Sequence, residues 1–276
     1  MNKTRNQRPE NSNEKLEKLK KILEKLGSVI IAYSGGVDSS LLLKVARDTL
    51  GKDSVLAVTA FSSTYPKVEY RQAKTLANQL GVEHLIVYTE ELRNKNFRKN
   101  LKNRCFYCKH EFFKKLASLC QKRGFNKVID GTNYEDRFDY RPGLKARNKW
   151  GVFSPLEKAG LRKEEIRRLA KDLRLPNWNK PAQPCLASRF SYGTEINLKK
   201  LSMIERAEEF LRGKGFSQVR VRLHQDIVRI EVEKEKISRI FSRTLREEIV
   251  RKFKRVGFKY IALDLEGYRM GSISPD

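Results

Sequence analysis

Two sets of residues in this chain have the types and spacing for chemistry. The first is Ser34-Gly35-Gly36-Val37-Asp38-Ser39-Ser40. Gly35 and Gly36 open backbone angles closed to other residues and let the chain approach a ligand closely. They stand between a short apolar run and an amphipathic stretch. That context predicts a strand, a tight loop and a helix start whose amides and dipole favour an anion. Ser34, Ser39 and Ser40 add hydroxyl donors. Asp38 offers either a carboxylate for a phosphate-bound metal or a helix cap. No lysine lies within the loop, which separates it from the GxxxxGK[ST] type. The second set is sulfur, whose reactive form is thiolate. Four cysteines occur: Cys105, Cys108, Cys120 and Cys185. Cys185 lies in Pro184-Cys185-Leu186-Ala187-Ser188-Arg189, at the end of a loop with prolines at 176, 181 and 184. Prolines so spaced hold a chain stiff and extended, and the guanidinium of Arg189 is expected to lower the thiol pKa. Cys105 and Cys108 form a CxxC, which suits half a zinc site or a redox pair, or arises by coincidence. Cys120 falls with Phe113, Leu116 and Leu119 on an apolar helical face and reads as core.

The elements that must position these residues follow from periodicity. Leu16, Leu19, Leu23 and Leu26 keep helical spacing up to Gly27. Short apolar runs at 29–32, 54–60, 84–88 and 127–130 read as buried strands, separated by helical stretches at 38–50, 66–80 and 106–123. Alternation of this kind predicts an α/β fold, a parallel twisted sheet with helices on both faces. Ligands of such sheets sit beyond the carboxyl ends of the strands, where the Ser34 loop and the Asp130-Gly131-Thr132-Asn133 turn both fall. Residues 135–160 show little periodicity, and a helix follows at 163–173. From Asn197 the order is helix, strand (218–223), strand (227–232), helix (234–253), strand (260–265), which predicts a small antiparallel sheet with two helices. The expected organisation is a flexible 1–11, a nucleotide-binding domain over 12–190 and a small α+β domain over 191–276. On the strand at 218–223, Arg220 and Arg222 share one face, and paired guanidiniums suit a phosphate.

Composition narrows the function classes. The chain has 276 residues, 59 Lys and Arg against 33 Asp and Glu, and a net charge of +26. Between Leu92 and Arg123 eleven basic residues meet one acid, Glu111, a field that attracts tRNA, nucleotides or phosphorylated small molecules. No apolar run reaches membrane-spanning length and the first residues lack a secretory h-region, so a cytoplasmic protein is expected. His84, His110 and His224 fall in no ligand spacing.

SGGVDSS resembles the SGGxDS loop of the PP-loop ATP pyrophosphatases, which split ATP between its α- and β-phosphates. With Asp130-Gly131-Thr132-Asn133, Arg141-Pro142-Gly143, Ser154-Pro155-Leu156 and PCLASR in this order, the stretch from about Leu16 to Leu265 resembles the LarE-type ATP-dependent sulfur transferases. The resemblance implies a PP-loop fold and an enzyme that adenylates a carboxylate of pyridinium-3,5-biscarboxylic acid mononucleotide. Sulfur then replaces oxygen, toward the nickel-pincer nucleotide of lactate racemase. It implies ATP and Mg²⁺, with Ala32, Ser34, Gly35, Gly36, Asp38, Ser39, Ser40, Thr59, Phe61, Arg104, Gly131 and Thr132 around the nucleotide. Cys185, Asp38, Arg189 and Lys109 are the implied catalytic residues, and Arg220 and Arg222 the implied holders of the substrate phosphate. Glu208 and Glu231 fall where the family places acidic groups near that site, with a divalent ion as their ligand alongside Asp38. A homo-oligomer, a hexamer in the family, is implied as well. The three-cysteine pattern resembles members in which Cys105, Cys108 and Cys185 would hold a [4Fe–4S] cluster whose free iron carries sulfide, and this is the expected route. Otherwise Cys185 gives up its own sulfur. A tRNA-thiolating PP-loop enzyme is the alternative reading.

Overall fold

The computed structural model describes residues 11–138 and 142–269. The chain divides into two compact units, one of residues up to 61 with 67–89 and 108–183, the other of 62–66, 90–107 and 184 onward. The segment carrying Cys185 therefore belongs to the second unit, ahead of the division expected at 190.

In the first unit, α1 (Ser12–Leu26) starts at a capping box in which Asn11 accepts from the Asn13 and Glu14 amides and Glu14 answers to the Asn11 amide. It ends at Gly27, whose φ of 73° few side chains tolerate. Then follow β1 (Val29–Ala32), α2 (Val37–Leu50), β2 (Val55–Phe61), α3 (Lys67–Gln79) and β3 (Glu83–Tyr88). After α4 (Lys95–Arg98), which belongs to the second unit, come α5 (Arg104–Arg123), whose residues before Cys108 do so too, and then β4 (Lys127–Asp130), α6 (Pro142–Lys149), α7 (Pro155–Lys158) and α8 (Lys163–Asp172). The sheet order is β3-β2-β1-β4 and every pairing is parallel. Hydrophobic runs such as Val29–Ile31 are buried on both faces, as a parallel sheet between helices requires. Leu19 and Leu23 of α1, Leu41–Leu43 of α2, and Ile166 and Leu169 of α8 join Val29 and Ile31 in one core. Each such side chain contributes roughly 1.5–3 kcal/mol on burial. The stretch at 135–160 carries two short helices where periodicity gave none; four to eight residues are too few to show a face.

The second unit contains α9 (Leu198–Gly213), β5 (Arg220–His224), β6 (Ile227–Glu231), α10 (Ile237–Ile240), α11 (Arg243–Val256) and β7 (Tyr260–Leu263). Its sheet is mixed rather than antiparallel: β5 pairs antiparallel with β6, but β7 runs parallel to β6. The long connection through α10 and α11 allows this, since parallel neighbours need a crossover and a tight turn cannot supply one. The single helix expected over 234–253 is broken at Phe241-Ser242, where Ser242 takes extended angles and opens α11. Among the described residues no helix is long and apolar enough to cross a membrane.

Candidate active site

The glycine loop sits at the carboxyl end of β1. Gly35 has φ 67°, and a Cβ there would lie 2.8 Å from the Ala73 Cβ, so only glycine fits between β1 and α3. Gly36 caps α2 without a side-chain hydrogen bond, leaving the first-turn amides available to an anion. Ser34 and Ser39 hydroxyls stand 3.1 Å apart, and Ser39 Oγ donates to the Gly36 carbonyl at 3.1 Å. Ser34 is exposed, whereas Ser40 is buried and shares a 3.4 Å contact with the Tyr33 hydroxyl. Gly131 presses on the same helix start: a Cβ there would stand 2.9 Å from the Ser39 amide nitrogen.

Two residues that no sequence signal marked complete this loop. Lys163, at the start of α8, donates from Nζ to both Asp38 oxygens at 2.8 and 2.7 Å. It supplies from 125 residues away the lysine that the loop lacks. Asp38 is thus neither the cap of α2 nor solvated; its carboxylate is half-buried against a cation. Asn177, from the proline-rich loop, donates to the Gly35 carbonyl at 3.1 Å and to Ser40 Oγ at 2.8 Å. An asparagine within a proline-rich loop was the only clue to it.

The other residues expected near a nucleotide in this unit vary in accessibility. Ala32 and Phe61 are half-buried, and Phe61 packs edge-on against Tyr70 and the exposed Tyr88. Thr59 is buried, its hydroxyl donating to the Tyr33 carbonyl at 2.7 Å and meeting His84 Nε2 at 2.8 Å. Burial and then the charge of Lys74 hold the His84 pKa below its ordinary value. Thr132 donates its amide and hydroxyl to Asp130, which also accepts from Ser154 at 2.6 Å. The stem of Lys109 runs over Gly143, where a Cβ would fall 2.6 Å from Lys109 Cδ. That explains Gly143 of the Arg141-Pro142-Gly143 motif; Arg141 itself lies outside the described residues.

In the second unit Cys185 opens the short 3-10 turn Leu186–Arg189. Arg189 is fully buried and organises this turn. Its Nε and Nη2 donate to Glu208 at 2.8 and 3.0 Å, and Nη1 donates to the Pro184 carbonyl at 2.8 Å and to Ser188 Oγ at 2.9 Å. Glu208 also accepts from Arg212 at 2.7 Å and from the Val221 amide at 3.1 Å. Burial pushes the Glu208 pKa up, but the charge of Arg189, their hydrogen bonds and Arg212 outweigh it, and the net direction is down. Burial likewise pushes the Cys185 thiol up. Arg104 and Arg189 pull the other way, a charge on Cys105 adds to the rise, and the net direction is upward. The Arg189 guanidinium acts on the thiol in the expected direction, but desolvation is larger.

Three further arginines of this unit, Arg104, Arg220 and Arg222, are buried. Arg104 donates to Asn100 and lies 5.5 Å over the Tyr192 ring; its buried Nε has no hydrogen-bond partner among the described residues. Arg220 lies 4.9 Å over the Tyr268 ring, its pKa drawn down to about 10 by burial and then by Arg189. Arg222 donates to Glu231 at 2.8 Å and to the Ser188 carbonyl at 3.1 Å. Glu231, fully buried, also meets Arg229 at 3.0 Å, so Glu208 and Glu231 each answer to two arginines. Cys105 is exposed and Cys108 half-buried, one turn apart on α5. Among the described residues no group of three or more His, Cys, Asp or Glu side chains is placed to hold a metal ion.

A four-stranded parallel sheet with a Gly-Gly loop between its first strand and the next helix defines an α/β protein of the PP-loop class. The family model for NAD synthase matches residues 12–129. An uncharacterised protein of Synechocystis sp. is 45% identical over 94% of this chain and 97% of its own length. The pyridinium-3,5-bisthiocarboxylic acid mononucleotide synthase of Lactiplantibacillus plantarum is 38% identical over 91% of both chains. An uncharacterised protein of Methanocaldococcus jannaschii is 34% identical over 92% of this chain and 97% of its own. The chain belongs to the LarE-type family of ATP-dependent sulfur transferases and is an ATP-dependent enzyme.

Proposed function

We propose that this chain adenylates a carboxylate of pyridinium-3,5-biscarboxylic acid mononucleotide and converts it to a thiocarboxylate for nickel-pincer cofactor synthesis. The observation that carries the reading is the pairing, in one chain 38% identical to the synthase of that product, of an uncapped phosphate loop with a thiol on a braced turn. In the first step the substrate carboxylate attacks the α-phosphorus of ATP and pyrophosphate leaves. The amides after Gly36, with Ser34, Ser39 and Lys163, receive the departing phosphates. Asp38 and its hard oxygens suit Mg²⁺, which supplies charge neutralisation to the phosphates. Arg104 and Lys109 offer further positive charge, while Ala32, Thr59, Phe61, Gly131 and Thr132 shape the nucleotide end. Arg220 and Arg222 take the mononucleotide phosphate.

In the second step the Cys185 thiolate attacks the acyl carbon and AMP leaves, giving a thioester. Loss of the Cys185 Cα proton to a general base and cleavage of its Cβ–S bond then leave thiocarboxylate on the substrate and dehydroalanine at 185. The braced turn that carries Cys185, gripped at the Pro184 carbonyl and at Ser188 by Arg189, supports this route. The cluster on Cys105, Cys108 and Cys185 remains a second reading. It is supported by the electrostatic reach of Cys105 on Cys185 within one unit. Anaerobic protein incubated with ATP, Mg²⁺ and the dinicotinate nucleotide tests both. Substrate-dependent pyrophosphate and AMP are expected, with Cys185 losing the mass of H₂S. ATP cleavage that ignores the nucleotide refutes the reading, and about four irons per chain with an intact Cys185 turns it to the cluster.

A further inference from the structure

Glu91 carries no signal in the sequence, yet it is only 2% exposed. It opens a 3-10 turn, Glu91–Arg93, shortly after β3. Its Oε1 accepts from Ser62 Oγ and from Thr64 Oγ1, both at 2.5 Å. Ser62 Oγ accepts in turn from the Thr64 amide at 3.2 Å. Glu91 Oε2 is buried with no hydrogen-bond partner among the described residues. A buried carboxylate with one oxygen unanswered is a costly way to stabilise a turn, so the turn it fixes must matter elsewhere. Thr64 supplies the link. Its carbonyl accepts from the Leu186 amide at 2.8 Å, and Leu186 is the residue after Cys185. The cysteine turn is thus held from two directions. Arg189, braced by Glu208, grips the Pro184 carbonyl and Ser188. The Ser62–Thr64 turn, braced by Glu91, grips Leu186. Ser62 also follows directly on Phe61, the last residue of β2, so this brace begins where the expected nucleotide strand ends.

We propose that Glu91 is a positioning residue for Cys185, acting through Ser62 and Thr64 to fix where the thiol meets the activated carboxylate. The proposal rests on the sulfur-transfer reading for its consequence, though not for its geometry. Charge-assisted hydrogen bonds are the stronger kind and suit a brace of this sort.

The test labels the full-length native protein with iodoacetamide and follows each cysteine by mass spectrometry in wild type, Glu91→Ala, Glu91→Gln and Thr64→Val. Glu91→Ala is expected to raise the labelling rate of Cys185 about tenfold by freeing its turn, with Cys105 and Cys120 unchanged. Thiocarboxylate formed per pyrophosphate released is expected to fall by about 100-fold, the scale of a 1 Å misplacement. Glu91→Gln keeps an acceptor oxygen for both hydroxyls and should restore most of both readouts, while Thr64→Val should fall between. Unchanged Cys185 labelling in Glu91→Ala, or acceleration of all cysteines together, overturns the proposal. If wild type yields no thiocarboxylate, the sulfur-transfer reading fails, and the labelling rates still decide the role of Glu91.

Discussion

Asp38 already has a partner, the ammonium of Lys163. The bidentate hydrogen bond from Lys163 ties up the carboxylate most suited to a phosphate-bound metal. A cation and an anion released together at one loop can serve a metal ion and a phosphate at once. A hydrogen bond to a charged group is worth about 1.5–3 kcal/mol, so Lys163→Met should weaken binding of a non-hydrolysable ATP with Mg²⁺ roughly tenfold or more by calorimetry. Asp38→Ala should abolish pyrophosphate release. Lys163 was illegible in the sequence because its role exists only across 125 residues of chain, and in isolation it is one lysine at a helix start. Gly35, Gly36 and Cys185 were legible because glycine and cysteine carry their chemistry wherever they stand. His84 shows what burial adds. Its folded pKa lies below the ordinary 6.5, so the folded state resists a proton that the unfolded chain accepts. Stability from this site is present above about 6.5 and is lost as pH falls below it. Urea midpoints should drop between pH 7.5 and 5.5 in wild type and drop less in His84→Gln.

At the scale of elements, alternation of strand and helix was readable because buried parallel strands are short unbroken apolar runs and the helices between them keep a face. The direction of β7 was not, since nothing within Tyr260–Leu263 tells a strand which neighbour it will join. The clamp on the cysteine turn was equally hidden: Arg189 read as an activating charge, but most of its donors hold Glu208, the Pro184 carbonyl and Ser188. Removing one member of such a buried pair strands the other charge. Glu208→Ala should therefore cost about 3–5 kcal/mol, read as a lowered denaturation midpoint. Gly35→Ala meets both a positive φ and Ala73, and should destabilise the first unit by about 1–3 kcal/mol in the same assay.

For the whole molecule, the charge of +26 admits two accounts. A tRNA-thiolating enzyme needs it for a polyanion, whereas a mononucleotide enzyme needs only the few arginines around its phosphates. Many of the guanidiniums nearest Cys185 are enclosed, among them Arg104, Arg189, Arg220 and Arg222, which suits a small ligand better than a duplex. Filter binding should accordingly show tRNA and an unrelated RNA retained alike, with retention falling steeply as salt rises. The central claim is that activation by the glycine loop serves sulfur transfer to a carboxylate. It is tested most directly by mass spectrometry of the dinicotinate nucleotide after a single incubation with protein, ATP and Mg²⁺. The account predicts replacement of one carboxylate oxygen by sulfur, matched by one AMP and one pyrophosphate. Consumption of ATP with the nucleotide unchanged, or sulfur appearing in tRNA instead, would contradict it.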